Sequence, residues 1–295
     1  MADRTVYLNG EFIPASEARI SAFDAGFLHG ASAFTTMRAH LGVVFRFDRH
    51  LMRLMDTVRL LDLHVGSDPG RLTEATYDVL AANRLADARV RITLTPGPIG
   101  AMRGEPDDEA APATTLITAE PVPNRPSEWA ERGIAVVVSS LRQVRGDPTF
   151  GYKTGCYLPR VLARREAAAK GAEDALWFTT DKYLAEACFS NVFLVHGGKV
   201  STPPRDTPVL PGVVRDAVIE ICRREGIPCD TETPLTVREM LAAEEMFLTS
   251  SVAGPRPVVQ VEAHQVGAGR PGELTRRITA CYEALLDAEC REGAR

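Results

Sequence analysis

A chain of 295 residues, 45% hydrophobic and 25% charged, is long enough for one large globular domain or two modest ones. Its formal net charge of -5, with Lys and Arg scattered rather than striped, argues against a nucleic-acid partner. No apolar run approaches the roughly 20 residues of a membrane span, and the opening MADRTVYLNGEF lacks the apolar stretch of a signal sequence, so a cytoplasmic protein is expected.

In chain order, TVYLNGEFIP reads as a short hairpin with Asn9-Gly10 as its turn, followed by a loop. ASAFTTMRAHLGVVFRF reads as a second hairpin around Leu41-Gly42. In DRHLMRLMDTVRLLDL, Leu51, Leu54, Val58 and Leu61 form the stripe of an amphipathic helix, and PGRLTEATYDVLAANRL predicts another. ARVRITLTPG and ATTLITAEPVP read as strands. The prolines of EPVPNRPSEWAERG then suggest a linker.

Beyond it come a strand at IAVVVSS, a helix at LPRVLARREAAAKG closed by Gly171, and strands at DALWFTT and NVFLVHGGKVSTP. Helices at GVVRDAVIEICRREGI and RPGELTRRITACYEALLDAE flank a strand at EEMFLTSS. The order is a mixed α+β pattern in two parts, 1–119 and 133–295, joined by a linker over 120–132. The six cysteines form no CxxC pair and the six histidines no HxxxH pair, which predicts free thiols and no metal.

Lys153 stands among small and aromatic residues in TFGYKTGCYLP, where a lysine is either an ordinary loop charge or a desolvated nucleophile able to form a Schiff base. Three other features bear on the choice. Glu186 ends a short strand in KYLAEACFSNVFLV. The Pro-Gly turn of VLPGVVRDAVI runs into a helix, so the amides of Val213 and Val214 lie at a helix N-terminus suited to a phosphate. Ser250 and Ser251 follow a strand in FLTSS and offer hydroxyls and amides to an anion.

These blocks, with YLNGEF, DAGFLHGASAF, HLMRL and LARREAAAKGAEDAL, make nearly the whole chain resemble the fold-type IV enzymes dependent on pyridoxal 5′-phosphate. That family includes branched-chain aminotransferases, D-amino-acid aminotransferases and aminodeoxychorismate lyases. The resemblance implies a small N-terminal α/β domain and a larger, β-barrel-like, cofactor-binding C-terminal domain with flanking helices, assembled as at least a homodimer. It makes Lys153 the residue that binds the cofactor covalently and moves the substrate proton. Glu186 becomes the partner of the pyridine nitrogen, and Arg53 a phosphate ligand, with the Val213 and Val214 amides, Ser250 and Ser251 completing the phosphate cup. Tyr157 matches a tyrosine bonded to the cofactor's phenolic oxygen.

Departures bear on the substrate. The chain has Val214 where many relatives have threonine, Thr35 and Thr36 where transaminases commonly have Phe-Glu, and Cys156 and Cys188 at positions usually held by other small or polar residues. The threonine pair is closer to the lyases; VLPGVVRDAVIEIC and FLTSSVAGPRPV are closer to the transaminases, and the D-amino-acid enzymes' Arg-x-His trap has no clear match in GPIGAMRGEP. The balance favours an aminotransferase acting on an L-amino acid, branched-chain, with 2-oxoglutarate as acceptor; lyase and D-amino-acid activities are the alternatives. Arg89 and Arg91, on one face of a strand by its period of two, and Thr35 are the candidate substrate residues, with Arg103 and the 98–106 loop nearby.

Overall fold

The computed structural model describes residues 3–63, 68–98, 113–122, 131–147 and 149–293. Arg103, the 98–106 loop beyond Pro98, and residues 123–130 of the expected linker lie outside them. The chain divides into two compact units. Unit 1 is Met1–Pro123 with Lys153–Cys156 and Leu286–Arg295, and unit 2 is Asn124–Tyr152 with Tyr157–Leu285. The two late segments join unit 1 because they are bonded to it. Thr154 bridges Ala33, and Glu289 takes a forked pair of bonds from Arg46.

Unit 1 is built on an antiparallel six-stranded sheet in the order β2-β1-β6-β5-β3-β4. Strands β1 (Thr5–Leu8) and β2 (Glu11–Pro14) are joined by Asn9 and Gly10, both at positive φ, as a tight hairpin turn requires. The same backbone geometry at Leu41 and Gly42 joins β3 (Ala33–His40) to β4 (Val43–Val44). β5 (Ala88–Thr95) lies between β3 and β6 (Thr114–Pro121). Helix α2 (Phe47–Leu60) buries Leu51, Leu54 and Val58 in one apolar cluster with Met37, Val90 and Ile92 of the sheet. Each such side chain contributes about 1.5–3 kcal/mol by leaving water. Helix α3 (Pro69–Ala82) opens with an Asp68 cap and proline in its first turn.

The end of the expected loop, at DAG, instead opens a short helix, α1 (Ala25–His29). Its buried cap, Asp24, accepts from the amides of Gly26 and Phe27 and from the hydroxyls of Thr95 and Thr114. Four neutral donors thus compensate one buried carboxylate, and the two hydroxyls come from distant parts of the chain, which local sequence cannot announce.

Unit 2 holds a closed barrel. The path runs β10 (Asn191–His196), β13 (Glu245–Ser250), β14 (Gly254–Val261), β7 (Ile134–Gln143), β8 (Asp174–Thr179) and β9 (Leu184–Ala187), and β9 returns to β10 through the pair Glu186↔Asn191. β8 is buried along its length and β10 over all but its last residue, so both carry near-continuous apolar runs. Val192, Leu194, Leu176 and Leu248 belong to one apolar cluster. Their neighbours turn the other way: Phe193, Val195 and Phe247 meet Val218 and Cys222 of helix α5 (Val213–Arg224), while Ala175 and Trp177 meet Ala163 and Ala167 of helix α4 (Leu158–Ala169). Short strands β11 (Lys199–Ser201), β12 (Cys229–Asp230) and β15 (His264–Gln265) extend the sheet. Helices α6 (Val237–Leu241) and α7 (Glu273–Gly293) complete the seven among the described residues. No helix of these residues is long and apolar enough to cross a membrane.

Candidate active site

In unit 1, the Lys153 segment is laid against β3 by backbone bonds: the Phe34 amide donates to the Lys153 carbonyl at 2.9 Å, and the Gly155 amide to the Ser32 carbonyl at 2.8 Å. The Lys153 Nζ lies 4.9 Å from the centre of the Phe34 ring. Gly155 is what lets the two stretches approach. A β-carbon there would run into the Ser32 Oγ and come within 2.8 Å of the Gly30 carbonyl oxygen. Gly155→Ala is therefore expected to cost about 1–3 kcal/mol as an overpacking change. Urea unfolding measures it, and an unchanged midpoint would mean the segment is not seated as described.

Arg53 and Thr35 come together with a residue that the sequence reading passed over, His50. The Thr35 hydroxyl lies 3.1 Å from His50 Nδ1, and Arg53 Nη2 lies 3.3 Å from the same nitrogen and 3.4 Å from the hydroxyl. A guanidinium can only donate, so Nδ1 accepts, the ring proton is on Nε2, and the Thr35 hydroxyl gives its hydrogen to Nδ1 while accepting from Arg53. Burial, reinforced by the charges of Arg53 and Lys153, holds the His50 pKa well below the ordinary 6.5. All three side chains are buried, and Thr35 has no exposed surface.

The His50 shift has a signed consequence for stability. Its folded-state pKa is depressed, so below about pH 6.5 the unfolded chain takes up a proton that the folded chain refuses, and stability present above that pH falls as acid is added. The slope approaches about 1.4 kcal/mol per pH unit for one such group. His50→Asn should flatten the decline in melting temperature between about pH 7 and pH 5; an identical slope in the variant would place the titrating group elsewhere.

The pairing of β3 with β5 sorts the remaining unit 1 candidates. Thr36 faces Arg91, Phe34 faces Thr93 and Arg38 faces Arg89 in register, so these side chains share one side of the sheet. Thr35 is on the other, against His50. Arg91 lies with its guanidinium carbon 3.7 Å from the Phe34 ring centre, and its Nε donates to Thr93. Lys153 and Arg91 thus both meet Phe34. Arg89 is turned to the surface, 3.7 Å from Glu120.

In unit 2, Glu186 is buried at the seam that closes the barrel. Its Oε1 accepts from Gln143 Nε2 at 3.0 Å and from Arg160 Nη2 at 2.5 Å, and its Oε2 accepts from the Leu210 amide at 3.1 Å. All three of these partners are donors, so the side chain serves here as an acceptor on both oxygens. Arg160, unremarked in the sequence, starts from the first turn of α4 and also donates to the carbonyls of Ala187 and Cys188. Burial works against its charge, but Glu186 and Tyr157 outweigh that and raise its pKa. Tyr157 precedes α4, stacks on Phe189 at 5.7 Å, and lies 5.6 Å from the Arg160 guanidinium.

The turn Leu210-Pro211-Gly212 links Glu186 to the start of α5. Asn191 braces it by donating to the Leu210 carbonyl at 2.9 Å, and its Oδ1 occupies the space a β-carbon on Gly212 would need. α5 begins after Gly212 with no side-chain cap, so the amides of buried Val213 and Val214 have no acceptor within the helix. Ser250 ends β13, whose Thr249 pairs with the Asn191 that braces the turn, and Ser251 follows it. The Thr249 hydroxyl is buried with no partner among the described residues. Unit 2 therefore gathers a fixed carboxylate and an uncapped helix start around one turn, with Tyr157 tied to that carboxylate through Arg160.

The profile of the family described as Amino-transferase class IV matches residues 32–261 of this chain. The branched-chain-amino-acid aminotransferase of Escherichia coli strain K12 is 30% identical over 294 residues, covering 97% of this chain and 94% of its own. A crystal structure of the Escherichia coli branched-chain aminotransferase superposes with a TM-score of 0.89 at 29% identity, covering 96% of this chain and 95% of that one. The branched-chain aminotransferase of Thermoproteus uzoniensis, solved with norvaline, superposes with a TM-score of 0.86 at 26% identity, covering 97% and 95%. With the profile spanning most of the sequence and the fold matching from end to end, this chain belongs to the class IV aminotransferase family.

Proposed function

We propose that the protein is a pyridoxal phosphate-dependent transaminase that moves the amino group of a branched-chain L-amino acid to a 2-oxo acid such as 2-oxoglutarate, in two half-reactions. The observation that carries this reading is the match along nearly the whole chain to branched-chain aminotransferases. The donor set is consistent with it. A phosphate suits the uncapped, buried start of α5 and the orphaned Thr249 hydroxyl near it. An N–H donor suits Oε2 of Glu186, which takes a single bond from the described residues.

When bound, pyridoxal phosphate would supply an electron sink for the pair released when the donor loses its Cα proton. Lys153 would hold the cofactor through its amine, give that position up to the donor, and then carry the proton between Cα and the cofactor's C4′ atom. Glu186 would keep the ring nitrogen paired, and Tyr157 would meet the phenolic oxygen. The phosphate would fall to Arg53, the Val213 and Val214 amides, Ser250 and Ser251. His50 and Thr35 both meet Arg53 Nη2, so in this reading Thr35 supports Arg53 in place of the substrate contact expected of it. Arg91, sharing Phe34 with Lys153, is the carboxylate ligand this reading prefers over Arg89, which is engaged with Glu120 at the surface. A homodimer in the cytoplasm completes the proposal, as a symmetric pair is the commonest assembly.

The threonine pair keeps aminodeoxychorismate lyase as the second reading, since Thr36 shares its side of the sheet with Phe34 and Arg91. The test is the absorbance of the cofactor-loaded protein after L-valine, L-glutamate, D-alanine or D-glutamate is added without any oxo acid. Conversion to the pyridoxamine form by L-valine and L-glutamate supports the proposal. Conversion by the D-amino acids alone reverses the enantiomer, and no conversion by any donor favours the lyase, with aminodeoxychorismate as the next substrate.

A further inference from the structure

Glu186 has a built surround that its role as a ring-nitrogen partner does not by itself explain. Arg160 is held from several directions. Nη2 donates to Glu186 Oε1 at 2.5 Å, Nη1 donates to the carbonyls of Ala187 and Cys188 at 3.1 Å each, and its guanidinium carbon lies 5.6 Å and 5.5 Å from the ring centres of Tyr157 and Trp177. A long flexible side chain on a surface helix rarely gives up so much freedom for a single ion pair. The pair is also buried, with side-chain exposures of 12% for Arg160 and 3% for Glu186, where an unpaired charge is costly.

We propose that Arg160 is a positioning residue for the reaction: by occupying Oε1 of Glu186 together with Gln143, it leaves Oε2 as the oxygen that accepts from the cofactor's ring N–H, and it keeps that proton on the ring nitrogen. The inference rests on the cofactor reading above. Its physical basis is the choice open to a buried carboxylate facing a pyridine. The proton sits either on nitrogen, giving an ion pair, or on the carboxyl oxygen, giving two neutral partners. Burial alone favours the neutral arrangement. A fixed guanidinium on the far oxygen stabilises the negative charge of the carboxylate and reverses that preference. The proton then stays on nitrogen, where the ring draws electrons best. Gln143 cannot substitute for this effect, being a neutral donor.

The experiment is the nitrogen-15 resonance of ring-labelled pyridoxal 5′-phosphate bound to wild type, Arg160→Met, Arg160→Gln, Arg160→Lys and Glu186→Gln. The expected result is a pyridinium resonance in wild type, a displacement toward neutral pyridine in both Met and Gln variants, and substantial recovery in the Lys variant, which retains a cation. A merely structural Arg160 would leave the resonance of the folded, cofactor-bound neutral variants at the wild-type position, and that result overturns the proposal. If the Met variant fails to fold, the Gln variant and the pH profile of wild type decide: a wild-type resonance that titrates between about pH 6 and pH 9 also overturns it. The cofactor reading fails separately, and visibly, if wild type binds no labelled cofactor or if Glu186→Gln leaves the resonance unmoved, and the proposal falls with it.

Discussion

Lys153→Ala is expected to lower turnover by about a thousandfold or more while leaving the fold intact, because in the proposed reaction it removes both the covalent attachment and the proton carrier in one change. The bonds that seat the segment are backbone bonds, from Phe34 to the Lys153 carbonyl and from Gly155 to Ser32, and they survive the substitution. Among the side-chain contacts the fold gives up is the approach of the ammonium to Phe34, at 4.9 Å, an interaction of about 0.5–1 kcal/mol. Lys153→Arg sharpens the test. It keeps the positive charge and the ring contact but cannot shed its proton to act as a nucleophile, so it should be as inactive as alanine. Steady-state rates with melting temperatures for both variants check this; an arginine variant near wild-type rates would assign Lys153 a purely electrostatic role.

Glu186 should show the opposite separation. On the proposed reading, Glu186→Ala is expected to retain bound cofactor through the proposed phosphate contacts and the lysine, yet lose about a hundredfold or more in turnover as the ring nitrogen would lose its partner. It should also be markedly less stable, because Arg160 would be left buried without its counter-charge, a loss of about 3 kcal/mol for broken buried pairs in general. Glu186→Gln keeps the shape and a carbonyl acceptor for Arg160, so its stability loss should be smaller while its rate loss remains. Parallel measurement of turnover, cofactor content and urea midpoint separates the two effects. Equal stability loss in both variants would show that charge alone, not the retained shape or acceptor, holds Arg160.

Much of the scaffold was legible because it is local. The stripe of Leu51, Leu54 and Val58, the Asn9-Gly10 turn and the Pro-Gly entry to α5 are set by neighbours within a few residues, and each forms as its spacing implies. β14 was not legible, since Pro255 and Pro257 lack the amide a central strand needs. It forms because parallel pairing with β7 involves only Val258 and later residues, leaving the prolines to pair with β13 alone. α1 was hidden for a different reason: its cap draws on Thr95 and Thr114, about 70 and 90 residues away.

The candidate site divides in the same way. Lys153, Glu186 and Arg53 sit in recognisable blocks, whereas their supports do not. His50 lies inside HLMRL, one helical turn from Arg53, so the spacing that brings them together was present; what was missing was the knowledge that this helix face is turned to Thr35. The parity of β3 could also have separated Thr35 from Thr36, because Phe34 and Thr36 must share a side. Which side met Lys153 needed the sheet. Arg160 is a harder case, an arginine in a charged helix whose meaning comes from Ala187, Cys188 and Glu186, more than 20 residues later.

The most direct test of the lysine's role is reduction of the cofactor-loaded protein with borohydride, followed by proteolysis and mass analysis. One modified peptide is expected, carrying the mass of a reduced pyridoxyl phosphate on Lys153 within the sequence TFGYKTGCYLPR, and none in Lys153→Ala. Modification of another lysine, or none in the wild type, would contradict it.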